Sequence, residues 1–218
     1  MDLQQVFDAL FEAYGHQHWW PGETPFEVMV GAILTQNTAW TNVERAIANL
    51  RENDCVDPER ILQTEPAQLA DWLRPSGYFN IKAQRLRNFC RWYLNEGGYG
   101  RLKRWDTHRL RRALLSVKGV GPETADDMLL YAFERPVFVI DAYTRRLLTR
   151  LGLASGEESY EALRAEFETF FGREPKNVDL FNEYHALIVQ HAKDACRKRP
   201  VCPECPLAHL CPHPDNDR

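Results

Sequence analysis

The sequence predicts an all-α protein, because apolar residues recur at helical spacing through most of the chain. Leu86, Phe89, Cys90 and Tyr93, for example, stand at positions i, i+3, i+4 and i+7 and predict one buried helix face. Proline and glycine divide the helical stretches into about ten segments of ordinary length. The single strand-like run, Val137 to Ile140, is too short to require a sheet.

Composition indicates a soluble globular protein with one or two hydrophobic cores, since 44% of its 218 residues are hydrophobic. The longest apolar stretch, 28–34, is far too short to cross a bilayer, and the N-terminus carries acidic residues where a secretion signal needs basic ones. We therefore expect a cytoplasmic protein without membrane association. A net charge of −4 means that any nucleic acid must be held by a local basic patch.

The segment from Leu114 to Ala125 joins two helical patterns through the turn Gly119-Val-Gly121, and Pro122 takes the first position of the second helix. Glycines let backbone amides approach a ligand closely, and the new helix N-terminus adds partial positive charge. The turn therefore suits a phosphate group, with Lys118 as a further phosphate contact. A tight turn between two helices is the simpler interpretation of the two glycines alone.

The same segment resembles the helix-hairpin-helix of the endonuclease III superfamily of DNA glycosylases. In that family an apolar run ending in a catalytic aspartate follows the hairpin, and here the run from Phe138 ends in Asp141. The resemblance implies that Asp141 faces the sugar of a nucleotide flipped out of duplex DNA, where a carboxylate stabilises positive charge at C1′ or activates water. Asp141 also precedes a predicted helix that begins at Ala142, so it suits an N-cap, and both roles can hold together.

Glu123 stands where bifunctional members of the superfamily carry a lysine nucleophile, two residues after the second hairpin glycine. A carboxylate cannot form the Schiff base that strand cleavage by β-elimination requires. We therefore predict a monofunctional DNA glycosylase that uses water. Two alternatives stay open: a bifunctional endonuclease III-like glycosylase and AP lyase acting on oxidised pyrimidines, and a non-catalytic helix-hairpin-helix module that only binds DNA.

Four of the six cysteines fall in one stretch, 196–211, at the spacing Cys-x5-Cys-x2-Cys-x5-Cys. In a reducing compartment such clustering indicates metal ligation rather than disulfides, and this spacing favours a [4Fe-4S] cluster over zinc. The superfamily has a similar cysteine pattern, with a first gap one residue longer. Cys55 and Cys90 stand alone among apolar residues and are interpreted as core thiols. The predicted cluster ligands are Cys196, Cys202, Cys205 and Cys211.

Three cations lie inside the first gap of the cysteine run: Arg197, Lys198 and Arg199. Exposed charged runs are most often solvated surface, but a loop fixed by a cluster would hold these cations against DNA phosphates. On this interpretation the cluster is structural and positions a local basic loop on an acidic protein.

Two segments that contain tryptophan, His18-Trp-Trp-Pro-Gly22 and Leu34-Thr-Gln-Asn-Thr-Ala-Trp40, resemble the 3-methyladenine branch of the superfamily. By position, the resemblance maps Trp19, Trp20 and Trp40 to the aromatic walls of a base pocket and Lys193 to a further pocket position. A cationic alkylated purine would gain from stacking and from cation–π contact with indole rings. The alternative is that the tryptophans fill the core and that Lys193 is a solvated surface charge.

Gln36 and Asn37 occupy the turn that, in the family, pushes a polar side chain into the gap left by the flipped nucleotide. Asn37 fits that wedge best, although Asn37 or Thr38 suits an N-cap of the next helix equally well. His185 and His191 lie on the apolar face of a predicted helix, and we expect both to be buried and hydrogen-bonded.

The resemblance implies two helical domains of the endonuclease III-like DNA glycosylase fold. Residues 25–133 would form a helical barrel domain with the hairpin at 108–133, and residues 1–24 with 134–218 a discontinuous domain with the cluster loop, 196–211. The expected partner is double-stranded DNA containing a damaged base, an alkylated purine such as 3-methyladenine before an oxidised pyrimidine. We expect a monomer that associates with the nucleoid through DNA.

Overall fold

The computed structural model describes residues 1–19 and 22–212, and within these ranges every regular element is helical. The all-α prediction is confirmed, and the strand-like run at 137–140 has no regular secondary structure. No helix in the described ranges is long and apolar enough to span a bilayer.

Twelve α-helices lie within the described part of the chain. Two short 3-10 helices, Arg74–Ser76 and Cys202–Glu204, and a π-helical turn, Met128–Ala132, complete the regular structure there. The α-helices in chain order are α1 Leu3–Tyr14, α2 Pro25–Leu34, α3 Trp40–Glu52, α4 Pro58–Gln63, α5 Pro66–Trp72, α6 Phe79–Asn95, α7 Gly98–Leu102, α8 Thr107–Leu115, α9 Pro122–Asp127, α10 Ala142–Arg150, α11 Tyr160–Phe171 and α12 Asn177–Asp194.

The chain forms two compact units. The first, which we call the hairpin unit, comprises Trp20–Arg135 and contains α2 to α9. The second, which we call the cysteine unit, comprises Met1–Trp19 and Pro136–Arg218 and contains α1 and α10 to α12.

In the hairpin unit, α2 forms the centre of the core. Every residue from Phe26 to Leu34 is buried, and the helix contacts α3, α6, α9 and the π-helical turn. Thr24 caps α2 by accepting a hydrogen bond from the Glu27 amide, and Pro25 takes the first helical position, where no amide donor is needed. A helix that is apolar all round belongs in a core, and the run at 28–34 supplies one.

Lys82, on α6, fixes the C-terminal end of α2. It is 1% exposed, and its ammonium donates to the Leu34 carbonyl at 2.8 Å and to the Ser76 carbonyl at 2.5 Å. Burial lowers the pKa of Lys82 to about 8. Because Leu34 ends α2, these bonds also hold the start of the turn that carries Gln36 and Asn37.

In the cysteine unit, α12 packs against α1 and α10. Its core is aromatic: Phe138 stacks on Phe167 with ring centroids 3.8 Å apart, and Phe181 and Tyr184 pack edge-on against Phe138. The run from Val137 to Ile140 is fully buried in this core. Asp141 therefore stands where the chain leaves the core to begin α10.

Candidate functional site

Asp141 is the N-cap of α10, as its place in the sequence indicates. Its Oδ1 accepts hydrogen bonds from the Thr144 amide at 2.7 Å and from the Thr144 hydroxyl at 2.9 Å. Its Oδ2 lies 3.6 Å from Nε2 of His185, on α12. The helix cap therefore uses Oδ1, whereas Oδ2 lies outside the cap and faces His185.

The surroundings keep Asp141 ionised. Its side chain is 15% exposed, and burial alone would raise the pKa of the carboxyl. Interactions with His185 and with Thr144 outweigh burial, so the pKa of Asp141 lies below its ordinary value. A carboxylate that stays charged in a mostly buried setting attracts a positive charge strongly, because little water screens it.

Trp19, a predicted pocket residue, lies in the same unit. Its ring is 5.7 Å from the ring of His185, and the segment before it is held by Glu183, on α12. The Glu183 carboxylate accepts from the Gln17 amide at 2.6 Å and pairs with Nδ1 of His16 at 2.6 Å. Helix α12 thus carries His185, the neighbour of Asp141, and also anchors the segment that leads to Trp19.

The two hairpin glycines are under different local constraints. Gly119 has a left-handed φ of +103°, and a Cβ placed on it would overlap the side chain of Arg85, which lies across the turn. Gly121 has a φ of −95° as the N-cap of α9, and a Cβ placed there would meet no atom within 4 Å. Glycine at 119 therefore stabilises the turn, whereas the fold does not need glycine at 121, where the space before the helix N-terminus is open.

Gln36 ties the turn after α2 to the hairpin. Its amide nitrogen donates to the Gly119 carbonyl at 3.1 Å and to the Thr124 hydroxyl at 2.9 Å, while its amide oxygen accepts from Arg85. Both Gln36 and Arg85 line a shallow depression beside the hairpin. Gln36 is thus a brace for the turn, a role that the sequence did not reveal because its partners are distant in the chain.

Asn37 lines the same depression. Asn37 is exposed and adopts a left-handed φ of +56°. The N-cap of α3 is Ala39, and no side chain makes the cap hydrogen bond. The capping role considered for Asn37 and Thr38 is therefore absent from this turn, and the wedge remains the interpretation for Asn37.

A buried ion pair braces the two helices of the hairpin. Arg111, on α8, donates from Nε to Asp126 Oδ1 at 2.7 Å and from Nη2 to Asp126 Oδ2 at 3.0 Å. The Asp126 side chain, on α9, is 0% exposed and that of Arg111 is 13% exposed. Two parallel hydrogen bonds fix the orientation of α8 against α9. No pattern in the sequence revealed this pair, since neither residue belongs to the glycine motif.

The other predicted site residues are more exposed or fall outside the described ranges. Lys118 and Glu123 are exposed on the hairpin, and Lys193 is exposed in the last turn of α12. Trp40 is half-buried at the start of α3, in the hairpin unit. Trp20 lies outside the described residues.

The four clustered cysteines line a single pocket in the cysteine unit. Cys196 is buried and the other three are half-buried, and the rest of the lining is mostly apolar. In residues 1–19 and 22–212, no three Cys, His, Asp or Glu side chains lie close enough together to hold a single metal ion. Four thiols around one apolar pocket are the donor set that iron–sulfur clusters use, so the residues present fit that group.

Arg150, on α10, holds the loop between the first two of these cysteines. Its Nη1 donates to Cys196 Sγ at 3.2 Å and to the Arg197 carbonyl at 2.6 Å, and its Nη2 donates to the Lys198 carbonyl at 3.0 Å. Arg146, one turn earlier, donates to the Cys196 carbonyl at 2.9 Å. The loop backbone is thus fixed from α10 while its three cations are exposed.

The two histidines of α12 and the two isolated cysteines are buried, as the sequence predicts. His185 is 4% exposed and His191 is 1% exposed, with His191 Nε2 3.8 Å from Cys205 Sγ. Burial lowers the pKa of His191 to about 4 and raises the pKa of Cys90 to about 12. At neutral pH His191 is therefore uncharged, and Cys90, like the buried Cys55, is a thiol of the core.

Residues 30–173 match the family model described as the HhH-GPD superfamily of base excision DNA repair proteins. A protein of Methanocaldococcus jannaschii, named as a candidate DNA repair glycosylase, is 44% identical over 214 residues, which are 96% of this chain and 95% of that protein. The endonuclease III of Sulfolobus acidocaldarius is 30% identical over 188 residues, which are 85% of this chain and 81% of that protein.

Solved structures agree with the family match. The H. pylori 3-methyladenine DNA glycosylase bound to 1,N6-ethenoadenine is 29% identical, with a TM-score of 0.78 over 88% of this chain and 98% of that one. An endonuclease III–DNA complex gives a TM-score of 0.81 at 22% identity over 97% of this chain and 96% of that one. The prediction of an endonuclease III-like fold is confirmed.

Proposed function

Because the chain belongs to the HhH-GPD superfamily of base excision DNA repair proteins, we propose that this DNA glycosylase is monofunctional and that Asp141 is its catalytic carboxylate. It flips a damaged base out of duplex DNA and hydrolyses the N-glycosidic bond. The different surroundings of the two Asp141 oxygens carry this proposal. Oδ1 caps α10, whereas Oδ2 of the same ionised, mostly buried carboxylate lies outside the cap.

Departure of the base leaves positive charge on the deoxyribose, and an anchored carboxylate stabilises that charge without reorganising. Two hydrogen bonds from Thr144 supply the anchor for Asp141. Water then attacks C1′, and the same carboxylate accepts the proton that the water loses. The products are the free base and an abasic site.

The residue at position 123 supports hydrolysis over a covalent route. Glu123 is exposed on the hairpin, at the position where bifunctional relatives have their lysine. It has no amine to attack C1′, and the reaction therefore stops at base release.

Contacts to the phosphates of the DNA, together with one wedge residue, would hold the DNA in place. The open approach to Gly121 suits a phosphate at the N-terminus of α9, with Lys118 beside it. Asn37 would fill the gap that the flipped nucleotide leaves. The exposed cations of the loop at 197–199 would bind further phosphates of double-stranded DNA, which gives an acidic protein a local basic surface.

A [4Fe-4S] cluster is part of the proposal. Cys196, Cys202, Cys205 and Cys211 would hold it, and a bound cluster would fix the basic loop at both of its ends, through Cys196 and Cys202. Arg150 contributes from the protein side, since it contacts both a cysteine sulfur and two carbonyls of that loop. Hydrogen bonds to cluster sulfurs are a regular feature of such sites.

We propose an alkylated purine such as 3-methyladenine as the damaged base. The half-buried Trp19 ring beside His185 offers the aromatic face that a cationic base prefers. The likeness to an H. pylori 3-methyladenine DNA glycosylase supports the same class. Trp40 is the second proposed pocket residue, and Trp20 and Lys193 stay predictions of the sequence.

A second candidate is a bifunctional glycosylase for oxidised pyrimidines, favoured by the relatives named endonuclease III. A third is a DNA-binding module without catalysis. For each of these three functions we propose that the protein acts in the cytoplasm as a monomer.

The experiment is base release from duplexes that carry 7-methylguanine, 1,N6-ethenoadenine or an oxidised pyrimidine, with and without borohydride. We expect release of an alkylated purine by the wild type and no borohydride-trapped complex. Asp141→Asn should keep the cap and lose the activity, while Asp57→Asn, the same change at the N-cap of α4, should have no effect. Strong trapping would establish the bifunctional alternative, and binding without release of any base would establish the module.

A further inference from the structure

A second polar residue shares the Asp141 site. His185 is 4% exposed, and its Nε2 lies 3.6 Å from Asp141 Oδ2, the oxygen outside the helix cap. The rest of its ring packs among aromatic groups, with Trp19 at 5.7 Å and Phe138, edge-on, at 6.5 Å. The polar edge of the imidazole thus meets the carboxylate and its apolar faces meet the core.

Thr144 restrains the Asp141 carboxylate through only one of its two oxygens. Both hydrogen bonds from Thr144 end on Oδ1. The terminal torsion of an aspartate is broad, and rotation about it moves both oxygens together. A donor at Oδ2 would therefore add a second restraint on this rotation to the one that Thr144 places on Oδ1. Among the contacts of Asp141 described above, His185 is the one that reaches Oδ2.

We infer that His185 is a positioning residue for the glycosylase reaction, whose Nε2–H holds Oδ2 of Asp141 towards the sugar of the flipped nucleotide. This inference rests on the proposed role of Asp141. The separation of 3.6 Å is longer than a formed hydrogen bond. Catalytic hydrogen bonds are often long without substrate and shorten in the complex, so the contact would tighten when DNA binds.

Burial makes this contact effective. The side chains of His185 and Asp141 are 5% and 15% exposed, so water competes little for either group. The helix that carries His185 is also tied to α1 by the Tyr184 hydroxyl, which donates to the Leu3 carbonyl at 2.8 Å. A donor on a well-anchored helix can hold a carboxylate to a narrow range of orientations.

Two substitutions separate the donor from the packing. His185→Gln keeps an N–H donor of similar reach but loses the ring, and His185→Phe keeps a ring against Trp19 but loses the donor. If the donor orients Asp141, kcat for base release should fall about tenfold or more in His185→Phe and stay within a few-fold of wild type in His185→Gln. KM should change little in either. Wild-type activity in His185→Phe, or equal losses in two folded variants, would overturn the inference.

A binding measurement tests the same contact between His185 and Asp141 without catalytic turnover. Duplexes carrying either a cationic pyrrolidine or a neutral tetrahydrofuran in place of the damaged nucleotide report on the carboxylate directly. Wild type should prefer the cationic duplex, because Asp141 faces the position of C1′. His185→Phe should lose most of this preference and His185→Gln should keep it.

The controls separate the inference from the proposed function. If the wild type shows no cationic preference, the role of Asp141 itself fails. If the preference exists but is equal in His185→Phe, only the role of His185 fails. Thermal unfolding checks the fold, and His185→Leu replaces His185→Phe if the latter does not fold. In the Asp141→Asn background, either apolar substitution should change the affinity ratio no further.

Discussion

Alanine at the two hairpin glycines should impair different properties, the stability of the fold at Gly119 and DNA binding at Gly121. At Gly119, alanine must accept a φ of +103° and its Cβ would overlap Arg85. The backbone strain costs about 1–2 kcal/mol. Moving Arg85 also removes its hydrogen bond to Gln36, which is worth about 1.5–3 kcal/mol for a charged donor. Together these two losses should lower the free energy of unfolding by about 2.5–5 kcal/mol in Gly119→Ala.

At Gly121 the same substitution meets open space at an ordinary φ of −95°. The small loss at the N-cap and the entropy gain from replacing glycine roughly cancel, so stability should change by less than about 1 kcal/mol. The new methyl group would instead stand where a phosphate approaches the amides at the start of α9. Losing one charge-assisted hydrogen bond should weaken DNA binding by about tenfold to a hundredfold.

Thermal unfolding and fluorescence anisotropy with a duplex containing a tetrahydrofuran abasic analogue measure the two effects. Each kcal/mol corresponds to about 2–4 °C in Tm for a protein of this length, so Gly119→Ala should melt several degrees lower. Gly121→Ala should keep the wild-type Tm and lose affinity. Equal stability of the two variants, or undiminished affinity in Gly121→Ala, would refute the argument from the hairpin geometry.

Three other perturbations test separate parts of the structure. Asp126→Asn removes the negative charge from the buried pair with Arg111 and should lower the free energy of unfolding, measured in urea, by about 3–5 kcal/mol. The exposed pair of Asp71 and Arg74 is the control, and Asp71→Asn should cost less than about 1 kcal/mol. Cys202→Ser should remove bound iron and the absorbance near ~400 nm. Cys90→Ser, at a core cysteine outside the cluster, should keep both, and stoichiometric zinc in the wild type would contradict the cluster. Because the pKa of Asp141 lies below its ordinary value of 3.8, protonation of this carboxyl should not slow base release between about pH 7 and pH 5. In His185→Phe the histidine no longer offsets the effect of burial, so the pKa should rise and the acid limb of the rate profile should move to higher pH. An unshifted limb would argue against the contact between His185 and Asp141.

Local signals in the sequence predicted the parts of the site that lie close together in the chain. The hairpin glycines, the aspartate before α10 and the cysteine spacing each occupy a short segment whose chemistry is legible from residue type. Asp141 shows this well: its place before Ala142 indicated an N-cap, and the resemblance of its segment to the endonuclease III superfamily implied a carboxylate that faces the sugar. The structure adds that the cap uses Oδ1 and leaves Oδ2 outside it.

Side chains that act across long sequence separations were not predictable in this way. Gln36 bonds the Gly119 carbonyl across 83 positions, and Arg150 reaches the Lys198 carbonyl across 48. His185 was correctly expected to be buried, but no pattern links it to Asp141. Pairing of this kind depends on how helices pack, and a helical spacing pattern specifies the buried face without specifying its neighbour.

The most direct test of the account is the single-turnover rate of base release from a duplex containing an alkylated purine, compared between wild type and Asp141→Asn. Asparagine can still cap α10 but carries no charge, so the rate should be at least about a hundredfold lower while the affinity for abasic DNA is unchanged. An Asp141→Asn protein that releases the base at the wild-type rate would contradict the central claim.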